Sequence, residues 1–181
     1  KHIKLYESGI EKYDNGDFEG AILEFTKAIE KFPKMTNAFH NRGLAKYELG
    51  EFKGAISDFT KAIEFNIFPD DNFDSYNSRG VCFSELKDYE RSILDFTKSI
   101  ELNSNPKHYM YDLELLTMAY ANRGCSKLDL KDNEGAITDL KKAIELNPIY
   151  IHSYYNIGCA FFNLNDLEQA CLYWKKSLAL G

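Results

Sequence analysis

The residues with the strongest chemistry to offer are four histidines, His2, His40, His108 and His152, and four cysteines, Cys82, Cys125, Cys159 and Cys171. A zinc site on a helix needs ligands that share one face. No two histidines stand four apart, and no two cysteines have C-x-x-C spacing, so neither a metal pair nor a redox pair is encoded. The G-x-x-x-x-G-K-[ST] and G-x-G-x-x-G phosphate loops are absent, as is G-x-S-x-G. Carboxylates are plentiful, but on helical faces they are ordinary solvated charges. These absences predict no catalytic site, no metal and no cofactor, so the chain is expected not to be an enzyme.

A second set of charged residues recurs with a fixed spacing. Arg42, Arg79 and Arg123 each stand directly before a glycine, and each is followed sixteen residues later by an aspartate: Asp58, Asp95 and Asp139. Elsewhere the matching places hold Ser8 with Glu24 and Ile157 with Tyr173, so arginine occurs only where aspartate does. Beside a helix-contact glycine these arginines should be at least half buried, and a buried guanidinium requires a partner. The spacing predicts three structural Arg-carboxylate pairs, each within one repeat and fixing the angle of its hairpin. The alternative is that the arginines bind the carboxylate of a ligand.

The elements that position these residues are read from Ala38 to Ile63, AFHNRGLAKYELGEFKGAISDFTKAI. Phe39, Gly43 and Tyr47 fall on one helical face, and Ala55, Phe59 and Ala62 on another, with Gly50 between them as a helix-ending glycine. The hairpin recurs from Gly16, Gly50, Lys87, Lys131 and Asn165, at offsets of 34, 37, 44 and 34. Its small positions are Gly9, Gly43, Gly80, Gly124 and Gly158, then Ala21, Ala55, Ser92, Ala136 and Ala170; its bulky ones are Phe25, Phe59, Phe96, Leu140 and Trp174. With Pro33 and Pro148 after second helices, this pattern resembles the tetratricopeptide repeat family.

The resemblance implies an all-α fold, a right-handed α-α superhelix or solenoid of five tetratricopeptide helical hairpins, forming one domain over 1–181. The repeats run at about 2–35, 36–69, 73–106, 117–150 and 151–181, with an insertion at about 107–116. The second repeat departs from the pattern, with Ile67 in the proline position and Pro69 two residues later. Nothing after Pro106 breaks a helix until Gly124, so the fourth repeat's first helix should start early and run long. The insertion is either a tolerated loop or a protrusion that binds a partner through Tyr109, Met110 and Tyr111.

A hydrophobic content of 44% and a charged content of 28% are those of a folding chain. The net charge of −6 argues against nucleic acid as the main partner, and no apolar run is long enough for membrane insertion. The four cysteines are expected to be reduced packing residues, since helices about 8–10 Å apart hold Cys125 and Cys159 too far apart for an easy disulfide. That points to a reducing, cytoplasmic setting. The sequence begins at Lys1 rather than Met, as a processed chain would, so a removed signal peptide stays open.

The family resemblance implies a protein-protein interaction module or scaffold binding a peptide or partner segment in a concave groove lined by first helices. Asn41, Ser78, Asn122 and Asn156 stand one before the arginine positions and should point into that groove. Asparagine offers a donor and an acceptor together, suited to a peptide main chain. Leu44 gives part of an apolar floor; Glu48, Glu85 and Asp129 form an acidic row with Asp14, flanked by Tyr13, Tyr47 and Phe162. Tyr6, His40, Asn77 and Tyr155 complete the candidate groove. The row suggests a basic partner; its bland reading is solvated helix-end carboxylates. An alternative function is an architectural segment of a larger assembly. It would form a homo-oligomer through the insertion or the last repeat's edge, where Cys171 and Leu178 continue an isoleucine stripe; otherwise residues beyond Gly181 cover that edge.

One familiar specificity is excluded by the residues. Tetratricopeptide domains that clamp chaperone C-termini use lysine, asparagine and arginine on three first helices; the matching residues here are Tyr6, Ile10, Asn41, Asp74 and Ser78, of which only Asn41 agrees. Isothermal titration with a free peptide ending Glu-Glu-Val-Asp is expected to show no binding, and a submillimolar Kd would contradict this reading.

Overall fold

The computed structural model describes residues 2–68, 72–104 and 112–181. Among them are ten helices and no strand: α1 (His2–Asp14), α2 (Phe18–Lys31), α3 (Thr36–Glu48), α4 (Phe52–Phe65), α5 (Phe73–Glu85), α6 (Tyr89–Asn103), α7 (Leu113–Asp129), α8 (Asn133–Leu146), α9 (Ile151–Asn163) and α10 (Leu167–Leu180). They fall into two compact units, Lys1–Lys87 and Asp88–Gly181, divided between the helices of the third expected hairpin. No helix is long and apolar enough to cross a membrane among the described residues.

In the first unit α1 pairs with α2 and α3 with α4, while α2 also meets α3 and α4 meets α5. The spacing of small and bulky residues explains the packing. Phe25 and Ala21 of α2 bury with Ala45 of α3, and Phe59 and Ala55 of α4 bury with Cys82 of α5. Ile22 and Ile56 pack against these clusters, so the following first helix covers the isoleucine stripe. Gly43 permits the approach within the hairpin, since a methyl group there would stand 2.8 Å from the Phe59 ring.

The second unit repeats the scheme. α6 packs on α7, α7 pairs with α8, α8 meets α9, and α9 pairs with α10. Ala136 and Leu140 of α8 bury with Ile157 of α9, with Ile137 and Ile144 against them. Second helices other than α4 open on a capping aspartate. Asp17, Asp88, Asp132 and Asp166 accept from the backbone N–H three residues on, a contact of about 1 kcal/mol each. Before the cap, the chain reverses through a left-handed residue: Gly16 and Gly50, then Lys87, Lys131 and Asn165 at φ of 60°, 64° and 60°. The N–H of Glu51 reaches back to the Lys46 carbonyl, and that of Asp132 to the Lys127 carbonyl, closing the preceding helix in each case.

One helix breaks the regularity. α7 has 17 residues where α1, α3, α5 and α9 have 13, so it starts about one turn early, as the uninterrupted sequence before Gly124 suggests. Its start is pinned by Asn103, 1% exposed at the end of α6. The Asn103 amide donates to the Asp112 carbonyl at 2.7 Å, and its carbonyl accepts from the Asp112 N–H at 2.9 Å. Asp112 then caps the Leu115 N–H. The Tyr109, Met110 and Tyr111 protrusion expected from sequence lies outside the described residues.

Candidate functional site

The charged residues at the helix contacts form nodes that reach across repeats. Arg42 Nε and Nη2 donate to Asp58 Oδ2 and Oδ1 at 2.8 and 2.6 Å, while Nη1 donates to Thr26 Oγ1 of the preceding helix pair at 3.0 Å. Lys46 Nζ lies 2.8 Å from Asp58 Oδ2, so one carboxylate, with a side chain 4% exposed, holds two cations. The second unit repeats the node. Arg123 bonds Asp139 at 2.8 and 2.7 Å and Thr97 at 3.0 Å, and Lys127 stands 2.7 Å from Asp139. Arg42 and Arg123 also lie over the rings of Phe39 and Tyr120, 5.4 and 5.5 Å from the centroids. With both carboxylate-facing nitrogens held by an aspartate, neither arginine presents its fork to a ligand.

The third arginine, Arg79, donates through Nη1 to Thr60 Oγ1 at 2.9 Å and lies over Tyr76. Asp95, sixteen residues on, belongs to the other unit. The threonines are the partners that the spacing argument missed. Phe-Thr-Lys occurs at 25–27, 59–61 and 96–98, once before each arginine, and Leu-Lys-Lys at 140–142 precedes Ile157. In the last repeat an aromatic stack replaces the ions, with Phe161 and Tyr173 at a centroid distance of 5.6 Å.

The candidate groove residues are less free than their types suggest. Asn41 Nδ2 donates to Tyr6 Oη at 2.9 Å, and Asn156 Nδ2 donates to Cys125 Sγ at 3.0 Å, so each ring or thiol of one first helix takes the donor of the next. Among the described residues neither Oδ1 accepts a hydrogen bond, and each Nδ2 keeps a second N–H. Ser78 and Asn122 are half-buried. Asn77 is 4% exposed with an Oδ1 that has no hydrogen-bond partner, so it is a packed residue rather than one offered to a peptide. His40 Nδ1 meets Ser75 Oγ at 2.8 Å; burial lowers its pKa, against the opposing pull of Asp74.

Around Asn41 the first unit has a cavity of about 210 Å³, lined by Ile10, Tyr13, Asp14, Phe25, Asn41 and Leu44. Burial, and then the Glu48 carboxylate, raise the Tyr13 hydroxyl above its usual pKa. Burial and then Glu85 do the same for Tyr47, which packs on Phe52 at 5.6 Å. Glu48, Glu85 and Asp129 are exposed at the ends of their helices. Tyr155 and Phe162 are exposed, with the Phe162 ring 5.9 Å from that of Trp174. Cys82 is buried, its thiol pushed up to about 12 by burial and then by Glu85. Cys171 departs from the packing role expected of it: it is exposed, on the face of α10 whose counterpart in α8 is covered by α9. All four cysteines are free, and no group of three potential ligands could hold a metal among the described residues.

A larger cavity, about 640 Å³, lies in the second unit where the sequence marked no site residue. Leu113, Glu114, Thr117 and Met118 of α7 form one wall, and Leu146, Asn147, Pro148 and Tyr150 form the other. The signal for it was the insertion, which lengthens α7.

Paired helices of this length, with small residues at their contacts, define an all-α repeat protein of the interaction-scaffold class. The chain belongs to the tetratricopeptide repeat family. Models described as tetratricopeptide repeat match residues 6–71 and, separately, 73–106 and 151–180, and one described as TPR repeat matches 126–165. Among solved structures, the crystal structure of MamA protein is similar at 22% identity, covering 99% of this chain and 91% of that one, with a TM-score of 0.85. MamA 41-end from Desulfovibrio magneticus RS-1 is similar at 18% identity, covering 99% and 95%, with a TM-score of 0.86. YrrB, described as a TPR protein with an unusual peptide-binding site, is similar at 18% identity, covering 99% and 86%, with a TM-score of 0.80. At these identities the likeness is one of fold. No curated protein matches the sequence. The family is one of protein-interaction modules, generally non-enzymatic, and its partners are proteins or peptides.

The node geometry orders two substitutions. Removing Arg42 leaves Asp58 with Lys46, whereas removing Asp58 leaves two partly buried cations without their anion. Asp58→Leu is therefore expected to destabilise by about 3–5 kcal/mol, and Arg42→Leu by less. Urea unfolding of both variants checks this; equal losses, or a larger one for Arg42→Leu, would contradict the shared-carboxylate description.

Proposed function

We propose that this chain is a non-enzymatic scaffold that takes an extended segment of a protein partner along its first helices. It holds the segment by its backbone and faces basic side chains with carboxylates. The observation that carries this reading is the cavity of about 210 Å³ beside Asn41. Its floor is apolar, from Ile10, Phe25 and Leu44, and Asp14 supplies a carboxylate. Asn41 gives one of its two amide hydrogens to Tyr6, so it still offers a partner its Oδ1 acceptor, suited to a backbone N–H or a cationic side chain, and one N–H, suited to a backbone carbonyl. Glu48 and Glu85 in the first unit and Asp129 in the second add charge of the same sign, and the net charge of −6 accords with a basic partner rather than nucleic acid. YrrB, similar in fold, is described as having a peptide-binding site.

A second reading rests on α10. Leu178 is 80% exposed and Cys171 is exposed beside it, at positions where Ile144 and Ile137 of α8 bury against α9. This face would pair copies of the chain. Sedimentation at high protein concentration decides it: a monomer rules the second reading out, and an oligomer that Leu178→Lys dissociates supports it.

For the groove, the partner is first identified by affinity capture and mass spectrometry. It is then titrated against wild type and Glu48→Gln/Glu85→Gln/Asp129→Gln. The triple variant is expected to bind about ten-fold more weakly at low salt, from roughly 0.5 kcal/mol per exposed charge, with the difference shrinking as salt rises. Asn122→Ala should weaken binding further. Equal affinity of the triple variant and wild type would leave the carboxylates as solvated surface.

A further inference from the structure

The longer α7 changes what the second unit can bind. Four more residues than its counterparts add a turn of about 6 Å at its N-terminal end. That turn stands beside the chain between α8 and α9, and the open cavity between them measures about 640 Å³. This is within the ordinary range of roughly 300–1,000 Å³ for ligand cavities. The added turn is not loosely attached. Buried Asn103 grips both sides of the Asp112 peptide, and Asp112 caps the helix. The opposite wall is also fixed: Tyr154 Oη donates to the Pro148 carbonyl at 2.9 Å, and Asn147 Oδ1 accepts from the Ile149 N–H at 3.2 Å.

The lining is chemically one-sided. Leu113, Met118, Leu146, Pro148 and Tyr150 are apolar or aromatic, and Leu113 and Met118 are 45% and 36% exposed. Thr117 is turned inward, its hydroxyl donating to the Leu113 carbonyl at 2.8 Å. Among the described residues that line it, the only acidic or basic side chain is Glu114, four residues and hence about 6 Å along the helix from Met118. Its field reaches Tyr150, whose hydroxyl is raised first by burial, then by Cys125 and Glu114. Side chains two residues apart on one face of an extended segment are separated by about 6.6 Å, close to that interval.

We propose that this cavity is a second partner-binding site, one turn along α7 from Asn122 of the asparagine row. It takes an extended peptide whose bulky apolar side chain sits against Met118 and Tyr150 and whose lysine or arginine, two residues away, pairs with Glu114. The occupant is a protein segment rather than an enclosed small molecule, because the exposed Leu113 and Met118 leave one wall open along the helix. Glu114 sets the sign of its charge.

Methyl NMR on the full chain labelled at methionine tests this. Met118 reports on the cavity and Met35, in the first unit, serves as the reference. The probes are capped hexapeptides with Phe two residues before Lys, Phe before Glu, and Ala before Lys. The Phe–Lys peptide is expected to shift the Met118 methyl saturably while leaving Met35 in place. Replacing Phe by Ala should weaken it roughly ten-fold or more. Replacing the peptide's Lys by Glu, or Glu114→Gln in the protein, should weaken it about two- to five-fold. An unmoved Met118 at millimolar peptide, equal binding of the Ala peptide, or indifference to the peptide's charge would each overturn the proposal. Asn122 of the groove lies one turn from Met118 on α7, so Asn122→Ala is titrated in parallel: unchanged binding of the Phe–Lys peptide separates this site from the groove, and a matching loss would overturn the proposal.

Discussion

A buried carboxylate that must satisfy two cations constrains this structure more than any other contact. Asp58 and Asp139 sit on second helices, and each receives an arginine and a lysine from the first helix of its own hairpin. The arginine's remaining nitrogen reaches the threonine of the helix before. A charged group removed from water is tolerated only with its full set of partners. Sliding or rotating a first helix against either neighbour would break an ionic bond or strand a donor, so the node fixes both the hairpin and its stacking. The glycine row permits this closeness, since any larger residue at Gly43 would meet the Phe59 ring.

The same economy of partners shapes the exposed face. Asn41 and Asn156, which from sequence offer a donor and an acceptor, have committed one amide hydrogen each, to Tyr6 and to Cys125, and keep the other. In the first unit the Asn41 amide oxygen and its second N–H stand with the carboxylates of Asp14, Glu48 and Glu85 among the groove candidates, and in the second unit Asn156 and Asp129 do the same. Amides that keep both a donor and an acceptor suit a peptide main chain, and the carboxylates favour basic side chains over an acidic C-terminus. Where the ion node is absent, in the last repeat, Ile157, Phe161 and Tyr173 supply aromatic and aliphatic packing instead. The packing role is kept there without charge.

The hairpins were legible because they depend on local periodicity. Small residues recur at fixed places, left-handed turn positions fall at Gly16 and Gly50, and a capping aspartate stands before α2, α6, α8 and α10. The arginine-aspartate partnership within a repeat was also legible, since both residues change together. Thr26 and Thr97 were not, because the bond crosses to another repeat and threonine in a helix is unremarkable alone. Lys46 and Lys127 likewise have no spacing signal of their own that sets them apart from other helical lysines. Asn77 was misplaced because sequence spacing sets a helical face but not how deeply a neighbour covers it. The early start of α7 could be read from the missing helix breaker. The cavity beside it could not, since it depends on the height of that turn relative to the chain between α8 and α9.

The claim that the arginine node ties one repeat to the next is tested most directly by a double-mutant cycle on Thr26 and Arg42, using Thr26→Val, Arg42→Leu and the pair. Unfolding free energies from urea titration give the coupling. A hydrogen bond from a buried guanidinium predicts a coupling of about 1 kcal/mol or more. Additivity to within about 0.3 kcal/mol would mean that Thr26 and Arg42 are neighbours without a joint role. The stacking of repeats would then rest on apolar contacts alone.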